Sequence, residues 1–194
     1  MSGGGEGDAL AGVGVAMRAS GAPSLARAAD APSRSVHGGC IGAAYRWPVG
    51  GDACVFVKTG GACDVTMLEA EAAGLEELQA ANALRVPRVL GVGVADAAAW
   101  LALEWLDLAP STSASDARLG EGLAALHRVH ADAFGWTRDN FIGRTPQLNA
   151  PERDAATFLR ERRLRPQLER ARAAGCDPRL YERGQRLLEI VDVY

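Results

Sequence analysis

Residues 35–82 decide the fold, and they read SVHGGCIGAAYRWPVGGDACVFVKTGGACDVTMLEAEAAGLEELQAAN. A Gly-rich turn at 37–42 interrupts extended sequence, and the β-rich run CVFVKT follows at 54–59. Apolar residues then recur at helical spacing over residues 66–82, where Thr66 is a plausible N-cap. These patterns predict a hairpin, a third strand that carries Lys58, and a helix.

The rest of the chain changes from strands to helices. Two further strands are expected at 85–94 and 99–106, followed by a polar connector at 107–118. Only helices are expected after it, at 119–132, 154–174 and 178–191, with a long loop at 133–151. We therefore predict an α+β fold with a weakly ordered lead-in (1–34, with a possible short helix over 9–18), a five-stranded antiparallel lobe with one helix (35–106), a hinge or linker (107–118) and a partial helical lobe (119–194).

Composition excludes several classes of protein. The 194 residues are 48% hydrophobic and 23% charged, which excludes a disordered or collagen-like chain. A net charge of −3 argues against binding nucleic acid through bulk charge. No apolar run is long enough for a membrane span, and the four cysteines form no CxxC pair. The expected setting is the cytoplasm, with no disulfide framework and no metal-ligand set.

Lys58 is unusual because 20 of the 21 basic residues are Arg. An ammonium is a compact point charge, whereas a guanidinium is a planar fork, so the sequence predicts that this position requires the smaller group. Glu71 falls on the apolar face of the predicted helix with Leu68 and Leu75. A carboxylate on such a face needs a partner, since an unpaired buried charge is costly. The pattern predicts an ion pair between Lys58 and Glu71.

A lysine held by a glutamate beneath a flexible Gly-rich turn is the arrangement with which kinases grip the phosphates of ATP. The turn His37-Gly38-Gly39-Cys40-Ile41-Gly42 matches only the last two glycines of a GxGxxG pattern. The alternative is a glycine hairpin beside a surface lysine and a solvated glutamate.

Several segments, in order, resemble the fructosamine kinase (ketosamine 3-kinase) family: GGCIGAAYRW, VFVKT, MLEAEAAGLEEL, RVPRVLGVG, LALEWLDL, LGEGLAALH, FGWTRDNFIG, TPQLN and FLRERRLRPQL. The resemblance implies a protein-kinase-like fold shared with aminoglycoside phosphotransferases. It also implies transfer of the γ-phosphoryl group of ATP, with Mg²⁺, to the 3-hydroxyl of sugar adducts of free amines or protein lysines, which reverses glycation. A small-molecule or protein-bound ketosamine is thus the expected partner.

The resemblance also implies roles for individual residues. Gly38, Gly39 and Cys40 would cover the phosphates, and Lys58, oriented by Glu71, would contact them. The remaining residues of the implied nucleotide site are Phe56 on the pocket wall and Glu104, Trp105 and Leu106 at the hinge. Asn140, Thr145 and Gln147 are implied substrate residues, although a loop held by side-chain hydrogen bonds explains them equally well.

Part of the family pattern is missing. A complete member has an HGD…N catalytic loop and a second metal-binding Asp. Two partial matches to kinase catalytic loops occur, at His130-Ala131-Asp132 and at Arg138-Asp139. Both lack the Asn that the pattern requires five residues after the Asp. No catalytic residue is therefore identified, and the base and Mg²⁺ ligands are expected beyond Tyr194. The alternatives are a truncated, non-catalytic pseudokinase that binds nucleotide or a partner, and a related phosphotransferase acting on another small hydroxyl compound.

Two features favour self-association. The predicted helices at 119–132 and 154–174 carry apolar faces that expect partners. Cys40, in a turn expected to bind phosphate, is either a reactive thiol able to form an intermolecular disulfide or simply a small residue in a tight turn. The Arg-rich run at 160–165, interleaved with glutamates, indicates a solvated, salt-bridged helix.

Overall fold

The computed structural model describes residues 3–36 and 42–191. The chain divides into two compact units, Met1–Val129 and His130–Tyr194. The strands and helices of the first unit are α1 (Gly3–Ala19), β1 (Arg34–Val36), β2 (Ala43–Pro48), β3 (Cys54–Gly61), α2 (Val65–Ala80), β4 (Val89–Ala95), β5 (Ala98–Glu104) and α3 (Ser113–Leu126).

The first unit is built on a five-stranded antiparallel sheet in the order β1-β2-β3-β5-β4. Strand β3 is the central strand, and its neighbour β5 is buried along almost its whole length. The predicted α+β class and the five-stranded antiparallel sheet with one following helix are confirmed. Helix α2 begins at Val65 and its N-cap is Asp64, so the N-cap predicted at Thr66 is two residues too late.

One face of the sheet packs against α1 and the segment that follows it. Val13 and Met17 of α1 have no exposed surface, and they join Trp47 and Val57 of the sheet in one apolar cluster. A short helix at 9–18 was expected inside a lead-in, whereas the structure has a 17-residue helix that covers the sheet. Burial of Val13 and Met17 supplies the stabilisation that the Gly-rich sequence of the helix lacks.

The opposite face packs against α2. Leu68 and Ala72 of α2 form a second apolar cluster with Leu101 and Leu103 of β5, and Phe56 packs against it. Side chains on a strand alternate between faces, so Phe56 and Lys58 share this face with α2. The position of Lys58 on β3 is thus what brings it beside the helix.

Helix α3 begins earlier than predicted. Thr112 caps it, since its side chain accepts a hydrogen bond from Ser115 N at 3.2 Å, and the hydroxyl of Ser115 accepts one from Thr112 N at 2.8 Å. Six residues of the expected connector at 107–118 are therefore helical. Gly122 lies against Leu84, which places α3 with the first unit, and the two units divide after residue 129.

The second unit is not purely helical. Within the loop expected at 133–151, β6 (Asn140–Ile142) and β7 (Thr145–Gln147) form an antiparallel hairpin. The helix expected at 154–174 comprises α4 (Ala155–Phe158), a π-helical segment (Leu159–Leu164) and α5 (Arg165–Ala173). The last helix, α6 (Pro178–Ile190), agrees with its prediction.

Candidate nucleotide-binding site

Lys58 and Glu71 form the predicted ion pair. Lys58 Nζ donates a hydrogen bond to Glu71 Oε1 at 2.6 Å, which confirms the pairing expected from the helical pattern. The side chains are 28% and 33% exposed, respectively. The pair is therefore shielded from bulk water yet open enough for a ligand to reach the ammonium.

The sheet fixes the base of the lysine. Lys58 lies opposite Ala44 on β2 and Leu101 on β5, so its backbone is held between two paired strands. Phe56 lies opposite Arg46 and Leu103 one position along the same face. Phe56 is half-buried and packs against the cluster beneath α2, so its expected place on the wall of a nucleotide pocket stays a prediction.

The Gly-rich turn at 37–42 falls partly outside the described residues. Gly38, Gly39 and Cys40 are not described, so their proposed contacts with phosphates stay predictions. Gly42, which closes the turn, has φ +73, and a Cβ built there would lie 2.1 Å from the carbonyl oxygen of Thr59. Only glycine fits this junction with β3, both sterically and conformationally.

The end of β5, expected to be the hinge, is held by charged contacts. Glu104 accepts hydrogen bonds from Arg85 Nη2 at 2.7 Å and from the backbone N–H of Arg88 at 3.2 Å. Trp105 Nε1 donates to Asp107 Oδ1 at 2.9 Å. These contacts order Glu104 and Trp105, whereas contact of the backbone at 104–106, Leu106 included, with a nucleotide base stays a prediction.

The Glu104 contacts predict a pH dependence. The hydrogen bond from Arg85, with that from Arg88, holds the pKa of the Glu104 carboxyl below its ordinary value of about 4.3. The contribution of Glu104 to stability is therefore present above that value and is lost as the pH falls through the lowered pKa. We expect the thermal midpoint of the wild type to exceed that of Glu104→Gln near neutral pH, with the difference shrinking below about pH 4. A difference that stays constant into acid would contradict this assignment.

A network of amides joins two of the three implied substrate residues. Gln147 Nε2 donates to Asn140 Oδ1 at 2.9 Å, across the β6–β7 hairpin. Asn149 Nδ2 donates to the same oxygen at 2.9 Å, and Asn149 is only 2% exposed. Thr145 lies opposite Ile142 on the hairpin, and its side chain is not among those that form this network in the described residues. The structure thus shows the side-chain-bonded loop that was one of the two interpretations, and substrate contact stays a prediction.

Arg163 completes this network, and sequence reasoning missed it. Its Nη2 donates to Asn149 Oδ1 at 2.7 Å, a second nitrogen donates to the carbonyl of Leu148, and the guanidinium lies 4.4 Å from the Phe158 ring centroid. Burial lowers the pKa of Arg163. The sequence did not distinguish Arg163 from the other arginines of the Arg-rich run. The neighbouring ion pair of Arg165 with Glu161, at 2.8 Å, is of the solvated kind that was expected for this run.

The chain matches the family model for fructosamine kinase over residues 22–193. It belongs to the fructosamine kinase family. This family member is 44% identical over 140 residues to a probable ketoamine kinase of Synechocystis, covering 72% of this chain and 47% of that one. It is 34% identical over 158 residues to the chloroplastic protein-ribulosamine 3-kinase of Arabidopsis thaliana, covering 80% and 48%.

Solved structures agree with the family and with the kinase-like fold. A crystal structure assigned to a fructosamine-3-kinase of Thermobifida fusca matches with a TM-score of 0.71 and 30% identity, over 82% of this chain and 55% of that one. A second, from Haemophilus somnus, gives a TM-score of 0.67 and 27% identity over 73% and 48%. The family member spans about half the length of the curated relatives it matches.

The family's cofactors differ in how well the described residues fit them. The paired ammonium of Lys58 on β3 suits nucleotide phosphates. For Mg²⁺, no group of three potential ligands occurs within residues 3–36 and 42–191.

No helix in the same ranges is long and apolar enough to cross a bilayer.

Proposed function

We propose that this chain carries the nucleotide-binding part of an ATP-dependent kinase that phosphorylates the 3-hydroxyl of fructosamine or ketosamine adducts, and so supports protein deglycation in the cytoplasm. The observation that carries the proposal is the 2.6 Å contact between Lys58 Nζ and Glu71 Oε1. Membership of the fructosamine kinase family and relatives named as ketoamine and ribulosamine kinases support the reaction and its substrate class.

The pair suits phosphate binding because the carboxylate fixes where the ammonium points before a ligand arrives. Phosphoryl transfer depends mainly on positioning and on stabilising charge, so a preoriented cation contributes without reorganising. Lys58 has three N–H donors and spends one on Glu71, which leaves two for nucleotide phosphate oxygens. ATP is therefore the cofactor that these residues would hold, and it would supply the phosphoryl group.

Other parts of the reaction are not assigned to described residues. The family uses Mg²⁺, but the described residues contain no group of three potential ligands. None of them is therefore given a metal-binding role. We likewise assign no proton acceptor. Asn140, Thr145 and Gln147 are proposed as substrate residues, with the β6–β7 hairpin as the rigid element that would present them.

The direct test is binding of ATP to the 194-residue chain. We expect ATP to raise the thermal midpoint of the wild type, and Lys58→Met to lose most of this protection because binding weakens about tenfold or more. Arg118→Met is the matched control, since Arg118 is an exposed cation on α3 whose side chain forms no hydrogen bond or ion pair with any described residue. Equal protection of wild type and Lys58→Met would remove the assigned role of Lys58.

Catalysis needs a separate measurement. Mass spectrometry of fructosyl-lysine incubated with ATP and the chain would detect the 3-phosphate, and competition with an aminoglycoside would test the other phosphotransferase class. Nucleotide binding without any transfer would favour the non-catalytic binding protein over the kinase.

Self-association through the helical segments or Cys40 is also proposed. Leu119 and Leu123 of α3 are 51% and 41% exposed, which supports an apolar contact surface.

A further inference from the structure

Two arginines face each other across neighbouring strands of the first unit. Arg34 on β1 and Arg46 on β2 are direct partners in the antiparallel register, so their side chains leave the same face of the sheet. Both guanidinium groups lie over the ring of Trp105, at 5.9 Å and 5.7 Å from its centroid. We call these three side chains the arginine–tryptophan cluster.

Within the described part of the chain, the two positive charges of the cluster have no counter-ion. Like charges directly opposite each other on paired strands are destabilising. Nevertheless, neither Arg34 nor Arg46 forms an ion pair with any described carboxylate. The nearby carboxylate of Asp107 accepts instead from Trp105 Nε1 at 2.9 Å, and it thereby fixes the ring. The cation–π contacts therefore hold the guanidinium groups in place but leave their N–H donors available.

Three other cations of this unit have carboxylate partners. Arg85 and Arg88 share the carboxylate of Glu104, at 2.7 Å and 3.7 Å. Lys58 lies on the same face as Arg46, since Ala44 and Arg46 are opposite Lys58 and Phe56, but its charge is matched by Glu71. On this face the unmatched positive charge is thus at the arginine–tryptophan cluster rather than at the lysine.

This arrangement fits one chemical class of ligand. Two guanidinium groups present planar forks of N–H donors that match phosphate oxygens, and donors already held by an aromatic ring lose little freedom on binding. Arg46 and Trp105 are half-buried, whereas Arg34 is exposed. The guanidinium donors can therefore be reached from solvent, while the Trp105 ring and the sheet hold them in place. We propose that the arginine–tryptophan cluster is a binding site for a phosphate group, distinct from the phosphate contact assigned to Lys58.

Calorimetric titration at low ionic strength tests this, with orthophosphate and glucose 6-phosphate as the two titrants. We expect saturable binding of both to the wild type, and about tenfold or greater weakening in Arg34→Gln/Arg46→Gln. The tighter titrant identifies whether free phosphate or a phosphorylated sugar is the better source. Arg34→Gln alone, at an exposed position, is expected to weaken binding as well, and it guards against misfolding of the double variant.

One control makes the result decisive. Arg118→Gln removes an exposed cation from α3, and it is expected to leave phosphate binding unchanged. The proposal is overturned by absence of saturable binding to the wild type, by equal binding to wild type and Arg34→Gln, or by an equal loss of phosphate binding in Arg118→Gln. ATP protection that survives in Arg34→Gln while phosphate binding disappears would separate this site from the proposed function.

Discussion

Trp47→Ala is expected to lower the free energy of unfolding of the first unit by about 3–5 kcal/mol, the usual cost of removing a large buried aromatic side chain. Trp47 has no exposed surface, and its ring meets that of Tyr45 edge to face, with centroids 6.3 Å apart. Its Nε1 also donates to the carbonyl of Ala29 at 2.8 Å. The substitution would remove apolar contacts and leave that carbonyl without its partner. Urea unfolding followed by circular dichroism measures the loss.

Trp47→Phe separates the two contributions. The phenyl ring retains much of the apolar volume but has no N–H for Ala29, so a smaller loss of about 1–2 kcal/mol is expected. A loss for Trp47→Ala no greater than that for Trp47→Phe would show that packing at this position contributes little.

Asn149→Ala is expected to destabilise the second unit by about 2–4 kcal/mol, because several polar groups lose a partner together. The Asn149 amide donates to Asn140 Oδ1 and to the carbonyl of Arg138, and it accepts from Arg163 Nη2. Hydrogen exchange of the β6–β7 hairpin, measured with the thermal midpoint, would report the loss locally as well as globally.

Gln147→Ala is the matched control, since Gln147 contributes one hydrogen bond to the same network. We expect it to cost less than about 1.5 kcal/mol, the upper range for a single neutral bond. Equal destabilisation by Gln147→Ala and Asn149→Ala would mean that Asn149 is not the centre of the network.

The sheet was predictable because its signals are local. Alternation along β3 and helical spacing along α2 require only a few consecutive residues, and together they also predicted that Lys58 and Glu71 meet. Helix α1 was underestimated because its glycines disfavour a helix in isolation. Yet a Cβ at Gly14 would lie 2.4 Å from the carbonyl of Ala29. The residue that weakened the helical signal is thus one that lets the helix pack closely.

The second unit was less predictable because its organisation depends on distant pairs. Strands β6 and β7 have three residues each, too few to show alternation. Asn149 and Arg163 are separated by 14 residues, and no local pattern distinguishes Arg163 from the solvated arginines around it. The π-helical segment that carries Arg163 has no sequence signature of its own.

The packing of α1 bears on where this domain begins as a folding unit. The family match starts at residue 22, after α1 has ended at Ala19. A chain shortened to the matched range would keep every strand yet uncover the sheet face that Val13 and Met17 now shield from water. Apolar surface of this kind promotes aggregation. The segment that the family model matches is therefore shorter than the segment needed to cover this sheet face, and recombinant boundaries are better drawn from the helix than from the homology.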